Sequence, residues 1–99
     1  MSIYVGTDLK FAIDIQCEGF DMREDDFHIV LKNIVRTLEI DKGDLVYDDE
    51  EDTWYLCFNS EDIGAGDIIM VVYAEVPDTD FADGRTEVYK CTLCRIESA

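Results

Sequence analysis

Basic residues are scarce in this 99-residue chain: eight Lys and Arg stand against 24 Asp and Glu, and the net charge is −16. Nucleic-acid binding normally needs a basic surface that displaces counterions from the phosphates. The composition therefore argues against a nucleic-acid partner. It favours a soluble protein that binds a cation or a basic protein.

Long apolar runs are missing as well. The longest covers residues 68–74, which is the length of a strand, whereas a membrane-spanning helix needs roughly 20 apolar residues. Residues 1–7 lack the basic start and the apolar stretch of a secretory signal peptide. We therefore expect no membrane partner, no signal peptide and a cytoplasmic location for the chain as encoded.

Groups that commonly act in catalysis are few. The single histidine, His28, lies inside an apolar segment, and no glycine-rich phosphate loop precedes a helix. Most acids lie in segments expected to be hydrated loops, where nothing shifts the pKa of a carboxyl group toward the value that acid–base catalysis needs. We expect that the chain is not an enzyme and requires no cofactor.

Proline occurs once and glycine six times, which argues against a linker or a disordered chain. Apolar residues make up 47% of the chain and include five Phe, five Tyr and one Trp, so the chain can bury one core. We predict a single domain over residues 8–97, preceded by a loose N-terminal arm over residues 1–7.

Four segments have the alternation or the composition of β-strands. They are residues 10–17 (KFAIDIQC), 53–59 (TWYLCFN), 67–76 (DIIMVVYAEV) and 86–97 (TEVYKCTLCRIE). The third segment is apolar on both sides, which predicts a central strand covered on both faces. A further short strand is predicted within residues 42–47 (KGDLVY).

Residues 26–40 (DFHIVLKNIVRTLEI) fit two structures. Apolar residues recur at helical spacing behind Asp25 or Asp26 as an N-cap, which favours a helix over about residues 26–39. The many β-branched residues favour instead two strands joined by a turn at Lys32 and Asn33. We predict the hairpin, and the helix, which would make the fold α+β, remains the alternative.

About seven strands separated by turn signals therefore fill the chain. That number of short strands in about 100 residues is typical of an immunoglobulin-like domain. We predict an all-β fold, an immunoglobulin-like β-sandwich of about seven antiparallel strands.

The acidic stretch at residues 78–84 (DTDFADG) is similar to the start of a calcium-binding EF-hand loop. Asp78 and Asp80 keep the alternate spacing of oxygen ligands, but Asp83 comes one position late and no Glu closes the loop. An Asp-Gly turn between two strands explains the same residues. We predict a turn without metal; Asp78, Asp80 and Asp83, shared with the acids of residues 48–52 (DDEED), remain the alternative calcium ligands.

Cys91 and Cys94 form a CTLC pair, a spacing that occurs in zinc and redox sites. On a regular strand, residues three apart face opposite sides, so we expect neither metal nor redox chemistry from this pair. In a chain without a signal peptide, reduced thiols are the expectation. A disulfide between Cys17 and Cys91 remains an alternative.

The order of these features resembles the immunoglobulin-like N-terminal domain of phage upper baseplate proteins and similar small β-sandwich proteins of phages and prophages. The likeness covers about residues 8–97. It rests on the FHIVLK hairpin, the acidic turn before TWYLCFN, the turn at residues 60–66 (SEDIGAG) from which the central strand rises, and the final strand. The resemblance implies a structural or adaptor module of a tail or baseplate, assembled into a virion, and not a catalyst.

Two functions are therefore expected as alternatives. The first is a non-catalytic structural or adaptor module that self-associates, or docks on a protein partner, through an exposed apolar patch. The second is a monomeric β-sandwich module that binds a protein or a carbohydrate. The residues predicted to contact the partner are aromatic: Tyr47, Trp54, Tyr55, Phe81 and Tyr89.

Overall fold

Two β-sheets pack face to face in the computed structural model, which describes residues 2–98. The large sheet has the strand order β1-β8-β7-β3-β4, and the small sheet has the order β2-β6-β5. The predicted all-β sandwich is thus confirmed, with eight strands: β1 (Ile3–Tyr4), β2 (Asp8–Ile13), β3 (Phe27–Lys32), β4 (Thr37–Asp41), β5 (Val46–Asp48), β6 (Thr53–Asn59), β7 (Gly66–Val76) and β8 (Arg85–Glu97).

Helical structure is confined to two short 3₁₀ helices within residues 2–98, Lys42–Asp44 and Ser60–Asp62. In this part of the chain, no helix has the length and apolarity needed to cross a bilayer.

The core lies between the two sheets and is built from alternate residues of each strand. On β3, Phe27, Ile29 and Leu31 point inward and are at most 1% exposed, because successive side chains of a strand point to opposite faces. Ile13 of β2 and Leu56 of β6 belong to the same cluster, on the small sheet. Burying each such side chain stabilises the fold by about 1.5–3 kcal/mol.

The predicted hairpin over residues 26–40 is confirmed, and the alternative helix is not formed. β3 and β4 pair antiparallel from His28↔Asp41 to Lys32↔Thr37. The turn lies later than predicted, because Asn33 and not Lys32 begins it and Ile34 and Val35 belong to the turn.

The N-terminal arm is attached to the sandwich and is not loose as predicted. Ile3 and Tyr4 form β1, which pairs parallel with the end of β8. Ile3 and Val5 pack against the core, and the Val5 N–H donates to the Glu97 carbonyl at 3.0 Å. Met1 lies outside the described residues.

β2 is shorter than the predicted strand over residues 10–17, since it ends at Ile13. Ile13 pairs with Trp54, and the partner strand β6 begins only one residue before, at Thr53, so β6 offers almost no further residues for β2 to pair with. Residues 14–26 instead connect β2 to β3, and Ile15, Phe20 and Met22 of this connection pack against the core. Phe20 packs edge to face on Phe27, with ring centroids 6.1 Å apart.

β7 is central in the large sheet, as predicted, but a second layer covers only its inner face. On its outer face, Val71 is 6% exposed because Val30 of β3 and Lys90 of β8 flank it in register. The prediction of a strand covered on both faces is corrected: within residues 2–98, neighbours in the same sheet provide the outer cover.

A β-bulge interrupts the pairing of β7 with β8 between Ile68 and Ile69. Met70 pairs with Cys91 and Ile68 pairs with Cys94, so the one extra residue, Leu93, brings both cysteines to the inner face. The expectation that the two thiols face opposite sides is therefore wrong, because it assumed a regular strand.

Candidate functional site

A groove of about 420 Å³ opens along one side of the sandwich, between β2 of the small sheet and β8 of the large sheet. One wall is formed by residues 12–16, at the end of β2 and just beyond it. The other wall is formed by residues 89–91 of β8, and Met70 and Val72 of β7 form the floor. The site is thus apolar at its base and polar at its rim.

The groove exists because both of its walls are sheet edges. β2 pairs only with β6, and it is the outermost strand of the small sheet. Among the described residues, β8 meets β1 on its far side only at Ile96 and Glu97, so residues 85–95 keep an unpaired edge. Backbone N–H and C=O groups of such an edge are free to pair with an added strand.

Tyr89 is the aromatic side chain of the groove. It is 41% exposed, and its register partner is Val72 on the floor. Loss of hydration, followed by the neighbouring Cys17, raises the pKa of Tyr89 to about 12. The phenol is therefore a neutral hydrogen-bond donor throughout the physiological pH range.

Beside the groove, Cys17 and Glu87 interact with Tyr89. Burial, followed by the nearby Glu87 carboxylate, raises the pKa of the Cys17 thiol, while Tyr89 acts in the opposite direction. Within residues 2–98, Glu87 Oε2 is a buried oxygen without a hydrogen-bond donor, and Arg85 Nη2 lies 3.7 Å away. A carboxylate oxygen is thus left with unused acceptor capacity at this end of β8.

Asp14 and Gln16 lie on the β2 rim of the groove; Lys90 belongs to the β8 wall, but it pairs in register with Val71 on the outer face of the large sheet. Gln16 Nε2 donates to Asp14 Oδ2 at 2.6 Å, which holds the two side chains of the β2 wall together. In the described part of the chain, Lys90 takes part in none of the ion pairs. The β2 rim therefore offers a carboxylate, whereas the ammonium group of Lys90 lies toward the outer face of the large sheet.

Two of the predicted contact residues, Tyr47 and Trp54, are half-buried and pack on each other. They are register partners on β5 and β6, and their ring centroids lie 4.7 Å apart. Trp54 also meets Phe27 edge to face at 6.0 Å. They close the core at the β5 side.

The other predicted contact residues lie apart from each other. Tyr55 is on the outer face of the small sheet, where its hydroxyl donates to Glu51 Oε2 at 3.0 Å and Lys10 Nζ lies 4.3 Å from its ring centroid. Phe81 is 54% exposed in the loop between β7 and β8. Only Tyr89 reaches the groove, so the five aromatic residues do not form one surface.

The acidic loop at residues 77–84 is a turn held by its own side chains. Asp78 Oδ1 accepts the Asp80 N–H at 2.9 Å, and Asp78 Oδ2 accepts Arg85 Nη1 at 2.7 Å. Both oxygens of the candidate calcium ligand Asp78 are therefore engaged. Over residues 2–98, no three His, Cys, Asp or Glu side chains, Asp80 and Asp83 among them, come together in a geometry that could hold a metal ion.

All four cysteines are free thiols, so the alternative Cys17–Cys91 disulfide is not formed. Cys57 and Cys91 are exposed, the first on the outer face of β6 and the second at the groove. The pKa of Cys94 is raised by its burial, so this thiol stays protonated at neutral pH.

His28 lies away from the groove. It pairs in register with Tyr73 on the outer face of the large sheet, and the two rings stack with centroids 4.6 Å apart. The only imidazole of the chain is thus on the opposite side of the sheet from the groove floor.

Sequence reasoning missed the β2 wall of the groove and the exposure of Ile34 and Val35. The wall depends on which strands end at the sheet edges, and no local pattern reports this. Asn33 is a turn-forming residue, and its position before an apolar pair was the one available signal for the turn.

No family model, no curated protein and no solved structure matches this chain.

Proposed function

We propose that the chain is a non-catalytic structural or adaptor module that binds a segment of a protein in the groove between β2 and β8. The observation that carries the proposal is the juxtaposition of a free β8 edge with an apolar floor. Strand addition uses both: the backbone edge gives affinity, and pockets for alternate side chains give specificity.

Charge supports a protein partner with basic residues. The net charge of −16 raises the local concentration of basic segments around the chain and disfavours nucleic acid. At the groove, Asp14 of the β2 wall offers a carboxylate to such a segment.

A non-catalytic role agrees with the chemistry of the groove. Its Tyr89 hydroxyl stays protonated, because the pKa of Tyr89 is raised to about 12. The imidazole of His28 is on the other face of the large sheet.

The immunoglobulin-like class is supported by the strand order. When β2 to β8 are lettered B, C, C′, D, E, F and G along the chain, the sheets read G-F-C-C′ and B-E-D. This is how immunoglobulin domains distribute their strands. Together with the sequence resemblance over residues 8–97, it favours a phage or prophage tail or baseplate component as the particular structural role.

The test of groove binding is a selection from a displayed library of random peptides long enough to span β8. Cys91→Trp fills the groove, and Cys57→Trp is the matched control, since it places the same bulk on an exposed cysteine outside it. We expect selected peptides to bind the wild type and Cys57→Trp equally, and Cys91→Trp at least about tenfold more weakly. Equal binding to all three proteins would contradict the proposal.

A monomeric carbohydrate-binding module is the second candidate, because Tyr89 lines the same groove as the polar groups of Asp14 and Gln16. Sugars commonly stack on an aromatic ring with such groups around it. A glycan array separates the two functions: glycan binding that Tyr89→Ala abolishes, without any selected peptide, would favour the carbohydrate module.

A further inference from the structure

The inner side of β8 is left open where the strand passes the groove. Glu87, Tyr89 and Cys91 point to this side, as their buried or half-buried register partners on β7 do. Tyr89 is nevertheless 41% exposed and Cys91 is exposed, whereas Ile29 and Leu31 on the same side of β3 are fully buried. This part of β8 therefore lacks the cover that the second layer gives to β3.

β1 demonstrates that a strand can pair with the free edge of β8. Ile3 and Tyr4 pair parallel with Ile96 and Glu97, at the end of β8. Among the described residues, the same edge continues without a partner strand over residues 85–95. A further segment can thus add to β8 in line with β1, by the backbone hydrogen bonds that edge strands form with added strands.

Strand addition decides which side chains of the segment enter the groove. Alternate residues of an added strand point inward, beside the inward residues of β8, and the residues between them point outward. Beside Tyr89 and Cys91, the groove has a floor of Met70 and Val72 and a volume of about 420 Å³, within the range of ligand-binding pockets. Two successive inward positions of the segment therefore favour aliphatic side chains.

The next inward position lies beside Glu87, whose carboxylate is not fully paired. Within residues 2–98, its Oε2 is buried without a hydrogen-bond donor, yet the side chain as a whole is 33% exposed. The nearest cation, Arg85, is committed elsewhere: its Nη1 donates to Asp78 at 2.7 Å and its Nη2 to the Glu18 carbonyl at 3.0 Å. This position favours a basic side chain, which would supply the missing charge and donors.

The other charges around the groove agree with a basic residue at this position. Asp14 adds a carboxylate on the β2 wall. Lys90 does not oppose it, because this side chain points to the outer face of the large sheet. On that outer face, Lys90 instead disfavours a basic residue at the outward position of the segment beside it, since like charges on adjacent strands repel.

We propose that the groove binds an extended segment with aliphatic residues at two alternate positions and Lys or Arg at the next alternate position. The inference rests on the proposed function, since it specifies the segment that the groove binds. The aliphatic side chains lie on Met70 and Val72, and the basic side chain meets Glu87. The residues between them point outward and are not basic.

The test uses synthetic peptides and the wild-type protein. Lys-Thr-Val-Thr-Val-Thr-Lys is palindromic, so it presents the proposed pattern in either strand direction. Lys-Thr-Thr-Val-Val-Thr-Lys has the same composition but turns one valine outward, and Gln-Thr-Val-Thr-Val-Thr-Gln lacks the basic residues. Two-dimensional NMR titration of isotope-labelled protein measures the three dissociation constants and identifies the amides that shift.

We expect the alternating Lys peptide to bind most tightly and to shift the amides of Tyr89 and Cys91. The isomer with adjacent valines should bind at least about tenfold more weakly, because one aliphatic side chain is no longer buried. The Gln peptide should bind about three- to fivefold more weakly, as expected for the loss of a partly exposed ion pair. Raising the salt concentration should reduce this difference.

A pair of protein variants tests the contact with Glu87. Glu87→Gln is expected to weaken the alternating Lys peptide about three- to fivefold and to leave the Gln peptide unchanged. Glu50→Gln is the matched control, because it removes the same charge from an exposed turn between β5 and β6. It should change neither affinity by more than about 1.5-fold. Circular dichroism establishes that both variants are folded, and the comparison of peptides on the wild type does not depend on them.

Equal affinities of the three peptides for the wild type would overturn the inference. An equal effect of Glu87→Gln on the Lys and Gln peptides would also overturn it, since the basic residue would then not meet this carboxylate. If peptides selected from the random library bind the groove but lack the pattern, the inference fails while the proposed function stands. If neither the designed nor the selected peptides bind the groove, both fail.

Discussion

Arg85 Nη1 donates a hydrogen bond to Asp78 Oδ2 at 2.7 Å, and Arg85 Nη2 donates one to the Glu18 carbonyl at 3.0 Å. One side chain at the start of β8 thus joins the β7–β8 loop to the connection after β2. The acidic loop is ordered by this contact and by the hydrogen bond that the Asp80 N–H donates to Asp78 Oδ1.

Asp78→Asn is predicted to lower the melting temperature at pH 7 more than Asp80→Asn does. The reason is that the wild-type Asp80 carboxylate accepts no hydrogen bond within residues 2–98. The Asp80 N–H, followed by Arg85, holds the pKa of Asp78 below its ordinary value of 3.8. The stability that the carboxylate supplies is therefore present above pH 3.8 and is lost as the pH falls through the lowered pKa.

Thermal melts of the two variants at pH 7 and at low pH check this prediction. The gap between them should narrow in acid, and added calcium should leave the wild type unchanged. A clear rise of the wild-type melting temperature with calcium would indicate a metal site in this loop instead.

Asn33→Ala is predicted to cost about 2 kcal/mol of unfolding free energy, since several hydrogen bonds worth about 1 kcal/mol each are lost in a partly exposed turn. Ile34→Ala, one residue away, should change stability by less than about 0.5 kcal/mol because Ile34 buries nothing. Urea denaturation measures both. Equal effects would mean that Asn33 does not hold the turn.

Trp54→Ala is predicted to cost about 3 kcal/mol, because the ring packs on Tyr47 and Phe27 between the sheets. Phe81→Ala should cost less than about 0.5 kcal/mol, as expected for an exposed loop residue. The emission of the single Trp, which is blue-shifted in the folded protein, reports the unfolding of the wild type and of Phe81→Ala. Trp54→Ala has no tryptophan, so its unfolding is measured by circular dichroism. A neutral Trp54→Ala would contradict the prediction that this ring stabilises the core.

Tyr89→Phe is predicted to make the protein less sensitive to alkali. The pKa of Tyr89 is raised to about 12 in the folded chain, above the value of 10.0 for a free tyrosine. Above pH 10.0 the unfolded chain loses this proton while the folded chain keeps it, so stability falls as the pH rises between the two values. Denaturation at about pH 9 and about pH 11 should show a smaller loss for Tyr89→Phe than for the wild type, and an identical loss would be contrary evidence.

Much of the fold could be predicted because strand alternation is a local property. The Trp54, Leu56 and Phe58 face of β6 and the many β-branched residues of the β3–β4 hairpin depend on neighbours in sequence. The turn at Asn33 could not be placed in the same way. Its position is fixed by the carbonyls of Ile63 and Ala65, which are distant in sequence.

The candidate site was largely beyond prediction for a related reason. Tyr89 was identified as an exposed aromatic residue, but its partner wall at residues 12–16 follows from the order of strands in two sheets. The shared face of Cys91 and Cys94 follows from a bulge that no residue pattern reports. Pairing between distant segments decides each of these features.

The most direct test of groove binding is the rate at which a maleimide alkylates Cys91, measured by mass spectrometry relative to Cys57 in the same molecule. Both thiols are exposed, but only Cys91 lines the groove. A groove-binding peptide is predicted to slow alkylation of Cys91 at least about tenfold at saturation and to leave Cys57 unchanged. Unchanged alkylation of Cys91, with the peptide bound, would contradict the assignment of the β2–β8 groove as the binding site.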